Sequence, residues 1–216
     1  MKLNIKEGEY LVRLARSSIS YYLNNLVPPK PPKTNFPNLL EKRGVFCTLL
    51  TYPENKLRGC IGLITPEKNL INATIESSCS ATQDPRFLPL KTEELNKIVI
   101  ELTILTELQK ISVLEPRDYL NEIKIGEDGL YLKYHYNIGV FLPQVPIEQN
   151  WDTKTYLSEL CLKAGLSENS WITKPVQLYK FQAQIFSEAE PNGKIFEKKL
   201  NPENSLFIFY EIRVIK

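Results

Sequence analysis

The sequence predicts an α+β protein, with a mixed, mostly antiparallel sheet carrying packed helices in one compact unit. Three observations lead there. Two segments in the first half carry apolar or small residues at helical spacing. Several β-branched and aromatic runs are separated by short turn signals, which favours antiparallel neighbours. No repeat or low-complexity stretch divides the chain, so residues 1–216 read as one domain of at most two lobes.

Taken in order, Leu11, Leu14, Ala15, Ser18, Tyr22 and Leu23 recur every three or four positions, predicting an amphipathic helix from about Glu7 to Asn25. Val27-Pro28-Pro29-Lys30-Pro31-Pro32-Lys33 ends it. Proline lacks the amide donor and fixes φ, so this stretch should run as an extended, polyproline-like strap, read as a rigid connector or as a ligand for a proline-binding module. Val45–Tyr52 and Leu57–Ile64 are strand-like and flank Pro53-Glu54-Asn55-Lys56, so they should form a hairpin. After Pro66, the spacing of Leu70, Ala73, Thr74, Ser77 and Ala81 predicts a helix ending at Asp84-Pro85.

Ile98–Leu105 reads as a buried strand. Glu127-Asp128-Gly129 marks a turn, followed by alternating Leu130, Leu132 and Tyr134 and then by Gly139–Leu142. Asp152 or Thr153 should cap a helix carrying Tyr156, Leu157, Leu160, Cys161 and Ala164, with Gly165 as its stop. Val176–Phe186 and Leu206–Ile215 close the chain as strands.

Composition narrows the function classes. There is no run of about 18 apolar residues, and Met1–Lys6 does not resemble a leader, so the expected location is the cytoplasm, away from membranes. The four cysteines, Cys47, Cys60, Cys79 and Cys161, form no C-x-x-C pair and should be reduced thiols. With a single histidine, the chain offers no ordinary zinc set, and no metal or cofactor is expected. Twenty-seven basic against twenty-five acidic residues give +2, too little for the electrostatic footprint of a nucleic-acid binder. The basic residues near the C-terminus are interleaved with glutamates, as on a solvated mixed-charge surface.

The informative segment is Leu57-Arg58-Gly59-Cys60-Ile61-Gly62, because two glycines bracket a cysteine inside a strand. Glycine weakens a strand, so Gly59 and Gly62 signal close backbone approach, a bulge or an opening for a ligand. On a regular strand Arg58 shares a face with Cys60 and would stabilise its thiolate, giving a catalytic reading of Cys60. The alternative is a buried cysteine serving as a small apolar residue beside a bulge. A turn centred between Glu54 and Asn55 would set Cys60 opposite Leu49, with Cys47 diagonal to it on the same face. His135 is the default general base for any Cys-His pair, or a packed or surface histidine. In Asp84-Pro85-Arg86-Phe87, Asp84 is a cap or binding residue, and Arg86 an anion site or an ion-pair partner.

These motifs, with Gly129-Leu130, Leu142-Pro143-Gln144-Val145, Glu148, Trp151-Asp152, Cys161-Leu162-Lys163-Ala164-Gly165-Leu166 and Trp171, occur in the order found in the AMMECR domain family. The chain resembles that family from its first helix to about Phe186. The resemblance implies an α+β fold with a larger and a smaller lobe and a cleft near Arg-Gly-Cys-Ile-Gly, but no activity. Relatives fused to or encoded beside Memo-type and radical S-adenosylmethionine proteins imply a shared modification pathway. Lacking the C-x₃-C-x₂-C spacing of a radical enzyme, this chain would be an accessory or downstream component. His135 lies outside the family motifs, and Ser167 stands where proline is common.

Two hypotheses follow. One is a ligand-binding or catalytic cleft with Cys60 as the thiol and Arg58, Gly59, Gly62, Asp84 and Arg86 as binding residues, taking an unidentified small molecule. The other is a non-catalytic module docking a protein partner through anchors such as Tyr52, Phe87, Trp151 or Trp171. An exposed thiol in a concave pocket favours the first, and an exposed apolar patch the second.

Overall fold

The structure is a computed structural model that describes residues 2–64, 67–199 and, for the backbone alone, 213–214. The expected strand Leu206–Ile215 lies outside the described residues except for that last pair.

The first helix, α1 (Ile5–Asn25), starts earlier than its apolar spacing suggests, because Asn4 and Glu7 form a capping box. Asn4 accepts the Glu7 N–H at 3.1 Å, and the Glu7 carboxylate accepts the Asn4 N–H at 2.8 Å. Leu26, with φ 58°, closes the helix in the left-handed region. Strands β1 (Val45–Thr51) and β2 (Leu57–Leu63) form the expected antiparallel hairpin. Helix α2 (Leu70–Ala81) follows, capped by Asn69 on the Asn72 N–H at 3.0 Å. It stops three residues short of Asp84, where the Thr82 hydroxyl donates to the Cys79 carbonyl at 2.6 Å. Then come β3 (Ile98–Leu105), β4 (Gln109–Lys110), α3 (Tyr119–Glu122), β5 (Gly129–Tyr134), β6 (Asn137–Phe141), α4 (Val145–Glu148), α5 (Thr153–Lys163), α6 (Ser170–Thr173), β7 (Gln177–Phe181), β8 (Ala183–Glu188), β9 (Ile195–Lys198) and β10 (Arg213–Val214).

Two sheets result, in a mixed and mostly antiparallel α+β arrangement. One has the order β10-β2-β1-β3-β8-β9, the other β4-β7-β5-β6. Among the described residues β1–β2, β1–β3, β8–β9, β4–β7, β5–β6 and β5–β7 pair antiparallel, and β10 pairs with β2 in parallel. The apolar run Val176–Phe186, expected as one strand, breaks at Gln182 and supplies a strand to each sheet. At the break Gln182 exchanges hydrogen bonds with Thr106, each 2.8 Å. Periodicity alone does not reveal a change of sheet.

The chain divides into two compact units. Residues through Leu105, with Gln184–Lys199 and β10, make one; Thr106–Ala183 belong to the other. In the first, α1 and α2 bury Leu11, Val12, Ala15, Ile19, Ile71 and Ile75 in one core with Cys47, Leu49, Ile100, Leu102 and Phe186. Each such aliphatic side chain contributes about 1.5–3 kcal/mol by leaving water. A buried ion pair fixes α1 to this sheet. Arg16 donates Nε to Glu188 at 2.6 Å and Nη2 to the other Glu188 oxygen, and it also reaches the carbonyls of Leu95 and Ile98 at 2.9 and 2.8 Å. Glu188 further accepts the Ile100 N–H at 3.0 Å, so the charge is fully solvated by protein.

In the second unit, α5 begins at the Asp152 cap, which accepts the Thr155 N–H at 2.7 Å, and turns out through Gly165 at φ 75°. Tyr156, Leu160, Trp171, Leu132, Leu178 and Phe181 are buried. Trp151 packs on Phe141 and Tyr156 with ring centroids 5.4 and 6.5 Å apart. Both tryptophans therefore take part in packing.

The hairpin register differs from the expected one. Leu50 pairs with Leu57, which centres the turn between Pro53 and Glu54, and a bulge then leaves Arg58 as the extra residue. Beyond it Leu49 pairs with Gly59, Thr48 with Cys60 and Cys47 with Ile61. Cys60 therefore faces Thr48, and Cys47 lies on the opposite face. All four cysteines are free and buried.

Candidate functional site

The bulge at Arg58 decides where the motif's side chains go. In a regular strand Arg58 would lie on the Cys60 face, but the extra residue breaks that alternation. Its guanidinium forms a two-pronged ion pair with Glu94, Nε to Oε1 at 2.8 Å and Nη2 to Oε2 at 3.0 Å. That pairing holds the Glu94 carboxyl below the ordinary carboxylate value. Arg58 is thus assigned to Glu94, and the cation next to Cys60 is Arg86.

Asp84 and Arg86 close the outer side of β2 at Cys60. The Asp84 carboxylate accepts the Cys60 N–H at 2.9 Å and the Arg86 N–H at 3.1 Å, and it pairs with the Arg86 guanidinium at 2.6 Å. Arg86 Nη2 also donates to the Cys60 carbonyl at 3.2 Å. Two side chains therefore do for one strand residue what a neighbouring strand would do. Burial pushes the Asp84 carboxyl up, but the hydrogen bonds from Arg86 and from the Cys60 amide outweigh this, leaving it below its ordinary 3.8.

Cys60 is 1% exposed, and its sulfur accepts the Thr48 hydroxyl at 3.4 Å. Burial raises the thiol to about 11 against the partial relief of the Thr48 bond and the Arg86 charge. Glu101 opposes that relief. It is buried opposite Thr48 on β3 and pairs with Lys198 at 3.1 Å. The motif reading missed Glu101, although its signal was available as one carboxylate inside the apolar run Ile98–Leu105.

The glycines answer to packing. A Cβ on Gly59 would come within 2.4 Å of the Ala81 carbonyl oxygen at the end of α2, and one on Gly62 within 2.2 Å of the Phe46 ring. His135 occupies the β5–β6 turn at φ 53°, exposed, with its ring 4.4 Å from Tyr134. Among the described residues no group of three or more His, Cys, Asp or Glu is placed to hold a metal ion, and no helix is long and apolar enough to cross a membrane.

Two concavities border the motif, both within the first unit. A groove of about 480 Å³ runs past Arg58, Phe87, Pro89, Lys91, Glu94 and Lys97. Phe87 lies under both guanidinium groups, 6.0 Å from Arg58 and 5.7 Å from Arg86. A larger groove, about 1260 Å³, is bounded by Ile61 and Pro85 of the two motifs, by Asn72, Ile75 and Ser80 of α2, and by Tyr22, Leu26, Pro28 and Pro29 at the end of α1. Lys42, Glu67, Lys68 and Glu76 carry charge around it, and Lys68 pairs with Glu76.

The fold and this motif edge define a two-unit α+β protein whose larger groove is bounded by Ile61 of the motif strand. The chain belongs to the AMMECR1 family, whose pattern it matches over residues 12–186. It is 48% identical to a Methanocaldococcus jannaschii protein over 200 residues, covering 92% of this chain and 98% of that one. A Methanopyrus kandleri protein is 45% identical over 206 residues, covering 94% and 98%. The crystal structure of an uncharacterised Pyrococcus horikoshii protein superposes with a TM-score of 0.86 at 43% identity, covering 93% of this chain and all of that one. These relatives establish family and fold without bringing a reaction.

Proposed function

We propose that this chain is a non-catalytic binding protein whose larger groove takes a polypeptide segment of a partner. The groove itself carries the reading. At about 1260 Å³ it exceeds the roughly 300–1,000 Å³ of most small-molecule pockets, and its rim holds Leu26, 76% exposed, and Leu40, 57% exposed. Apolar side chains held in water beside Asn72, Ser80 and Gln83 suit a segment with one apolar face and one polar face. Lys42 and Lys68 against Glu67 and Glu76 favour a partner of mixed charge over a nucleic acid. In this reading Cys60 is a structural thiol and Asp84 and Arg86 hold the groove wall, since a thiol raised to about 11 is a poor nucleophile. A partner-binding surface is also what an accessory component of a modification pathway needs, and four free thiols fit work in the cytoplasm.

A second reading rests on Arg58, Lys91 and Lys97 around the smaller groove, which favour a small anion. Glu94 already occupies the fork of Arg58, so an anion there would have to displace it.

Display selection of random peptides on the immobilised chain, with binding mapped by backbone amide shifts, tests both. The proposal expects saturable peptides that compete with one another and shift Ile61, Asn72, Ser80 and Gln83. Failure to enrich any peptide would remove it, and shifts confined to Arg58, Phe87 and Lys91 would transfer the site to the smaller groove.

A further inference from the structure

We propose that the strap Pro28–Lys33 is itself a docking ligand, presented to a partner domain whose groove is lined with aromatic side chains and rimmed with carboxylates. Here the strap is the inserted element and not the receptor, and it shares only Pro28 and Pro29 with the wall of the larger groove.

The stretch Pro28-Pro29-Lys30-Pro31-Pro32-Lys33 is Pro-Pro-Lys written twice. Polyproline II has three residues per turn, so a repeat of three places identical residues along one edge. Pro28 and Pro31 form one edge, Pro29 and Pro32 a second, Lys30 and Lys33 a third. In that conformation the six residues would make a three-edged rod of roughly 19 Å with two proline edges and one cationic edge. The prolines fix their own φ near −65°, and each residue preceding a proline is held away from the helical region, so four prolines in six positions leave little freedom to lose on binding.

The structure leaves this rod accessible. Its residues belong to no helix or strand, and Pro28, Lys30, Pro31, Pro32 and Lys33 are exposed while Pro29 is half-buried. Pro28 and Pro29 also border the larger groove, which leaves Pro31, Pro32 and both lysines facing solvent. Among the described residues neither lysine has an ion-pair partner, and no backbone amide or carbonyl from Val27 to Lys33 is bonded within the chain. A connector requires stiffness alone. Lysines placed in register on one edge, beside two edges of proline, are what an aromatic cleft with an acidic rim recognises, the prolines entering between the rings and Lys33 completing a Pro-x-x-Pro-x-Lys pattern.

The test titrates the full chain into an SH3 domain that accepts Pro-x-x-Pro-x-Lys peptides, monitored by isothermal titration calorimetry. The expected result is saturable binding that weakens about tenfold or more in Pro31→Ala and again in Lys30→Glu/Lys33→Glu. These positions are exposed, and an unchanged circular dichroism spectrum confirms that each variant is folded. No saturable binding by the wild-type chain would overturn the proposal, as would binding that both variants retain.

Discussion

The Asp84 carboxylate accepts the backbone N–H of Cys60 at 2.9 Å. With Arg86 donating to the carbonyl of the same residue, this acid-base pair serves as a short artificial strand along the side of β2. The best-marked segment of the chain is therefore held by side-chain charge, and its stability should follow that charge.

Asp84→Asn keeps the shape but removes the charge, leaving the half-buried Arg86 without its carboxylate. The expected cost is about 3 kcal/mol, the lower end for breaking a buried pair, visible as a lower urea midpoint at pH 7. Asp84 titrates below its ordinary 3.8 in the folded protein, so the unfolded chain takes up the proton more readily. Its contribution is complete above that value and is lost as pH falls through the lower folded value. The wild type should lose stability along this acid limb more steeply than Asp84→Asn, and parallel pH profiles of the two would contradict the assignment.

Gly59→Ala and Gly62→Ala should each destabilise by about 1–3 kcal/mol, because the added methyl meets the Ala81 carbonyl or the Phe46 ring. In thermal melts a chain of this size would lose roughly 2–4 °C for each kcal/mol. Gly62→Ala combined with Phe46→Leu should recover only the part of the loss that comes from the ring, because the added methyl also lies 2.6 Å from the Val45 carbonyl oxygen, and Gly59→Ala has the Ala81 carbonyl to push against.

Glu188→Gln should cost about 3–5 kcal/mol by leaving Arg16 buried without its counter-charge. The double replacement Arg16→Met/Glu188→Leu should be the milder of the two, which denaturant titration of both variants would show.

Brief alkylation at pH 7 should label Cys60 no faster than Cys47, Cys79 or Cys161. At a thiol value of about 11, only about one thiol in ten thousand is ionised at neutral pH. Arg58→Ala should leave the rate unchanged, since its guanidinium is bound to Glu94. Mass spectrometry of the labelled peptides reads this directly, and selective labelling of Cys60 would restore the catalytic reading.

Much of the fold was legible because local signals agreed with one another. The spacing of Leu11, Leu14 and Ala15 gave α1, the turn residues gave the hairpin, and Asp152 with Gly165 bounded α5. What escaped depends on a single residue of register or on partners distant in sequence. The bulged Arg58 redirected its own side chain and changed what Cys60 faces, and a bulge leaves no mark in a strand pattern beyond its glycine. Glu101, inside the apolar run Ile98–Leu105, and Glu188, beyond the expected strand end at Phe186, find their partners Lys198 and Arg16 only in the fold. A cleft near Arg-Gly-Cys-Ile-Gly was expected from the family resemblance, but the outline of the larger groove was not legible, since its walls come from α1, the strap, α2 and β2 together.

The central claim is that the groove binds and the thiol does not react. Its most direct measurement is the affinity of a selected peptide for the wild type, Ser80→Arg and Cys60→Ser. Ser80 lines the groove on the α2 side, where a guanidinium would fill the space, whereas Cys60 is buried beneath Thr48. The account predicts a loss of about tenfold or more in Ser80→Arg and a change of less than about twofold in Cys60→Ser. Full affinity in Ser80→Arg, or its disappearance in Cys60→Ser with the fold intact, would contradict it.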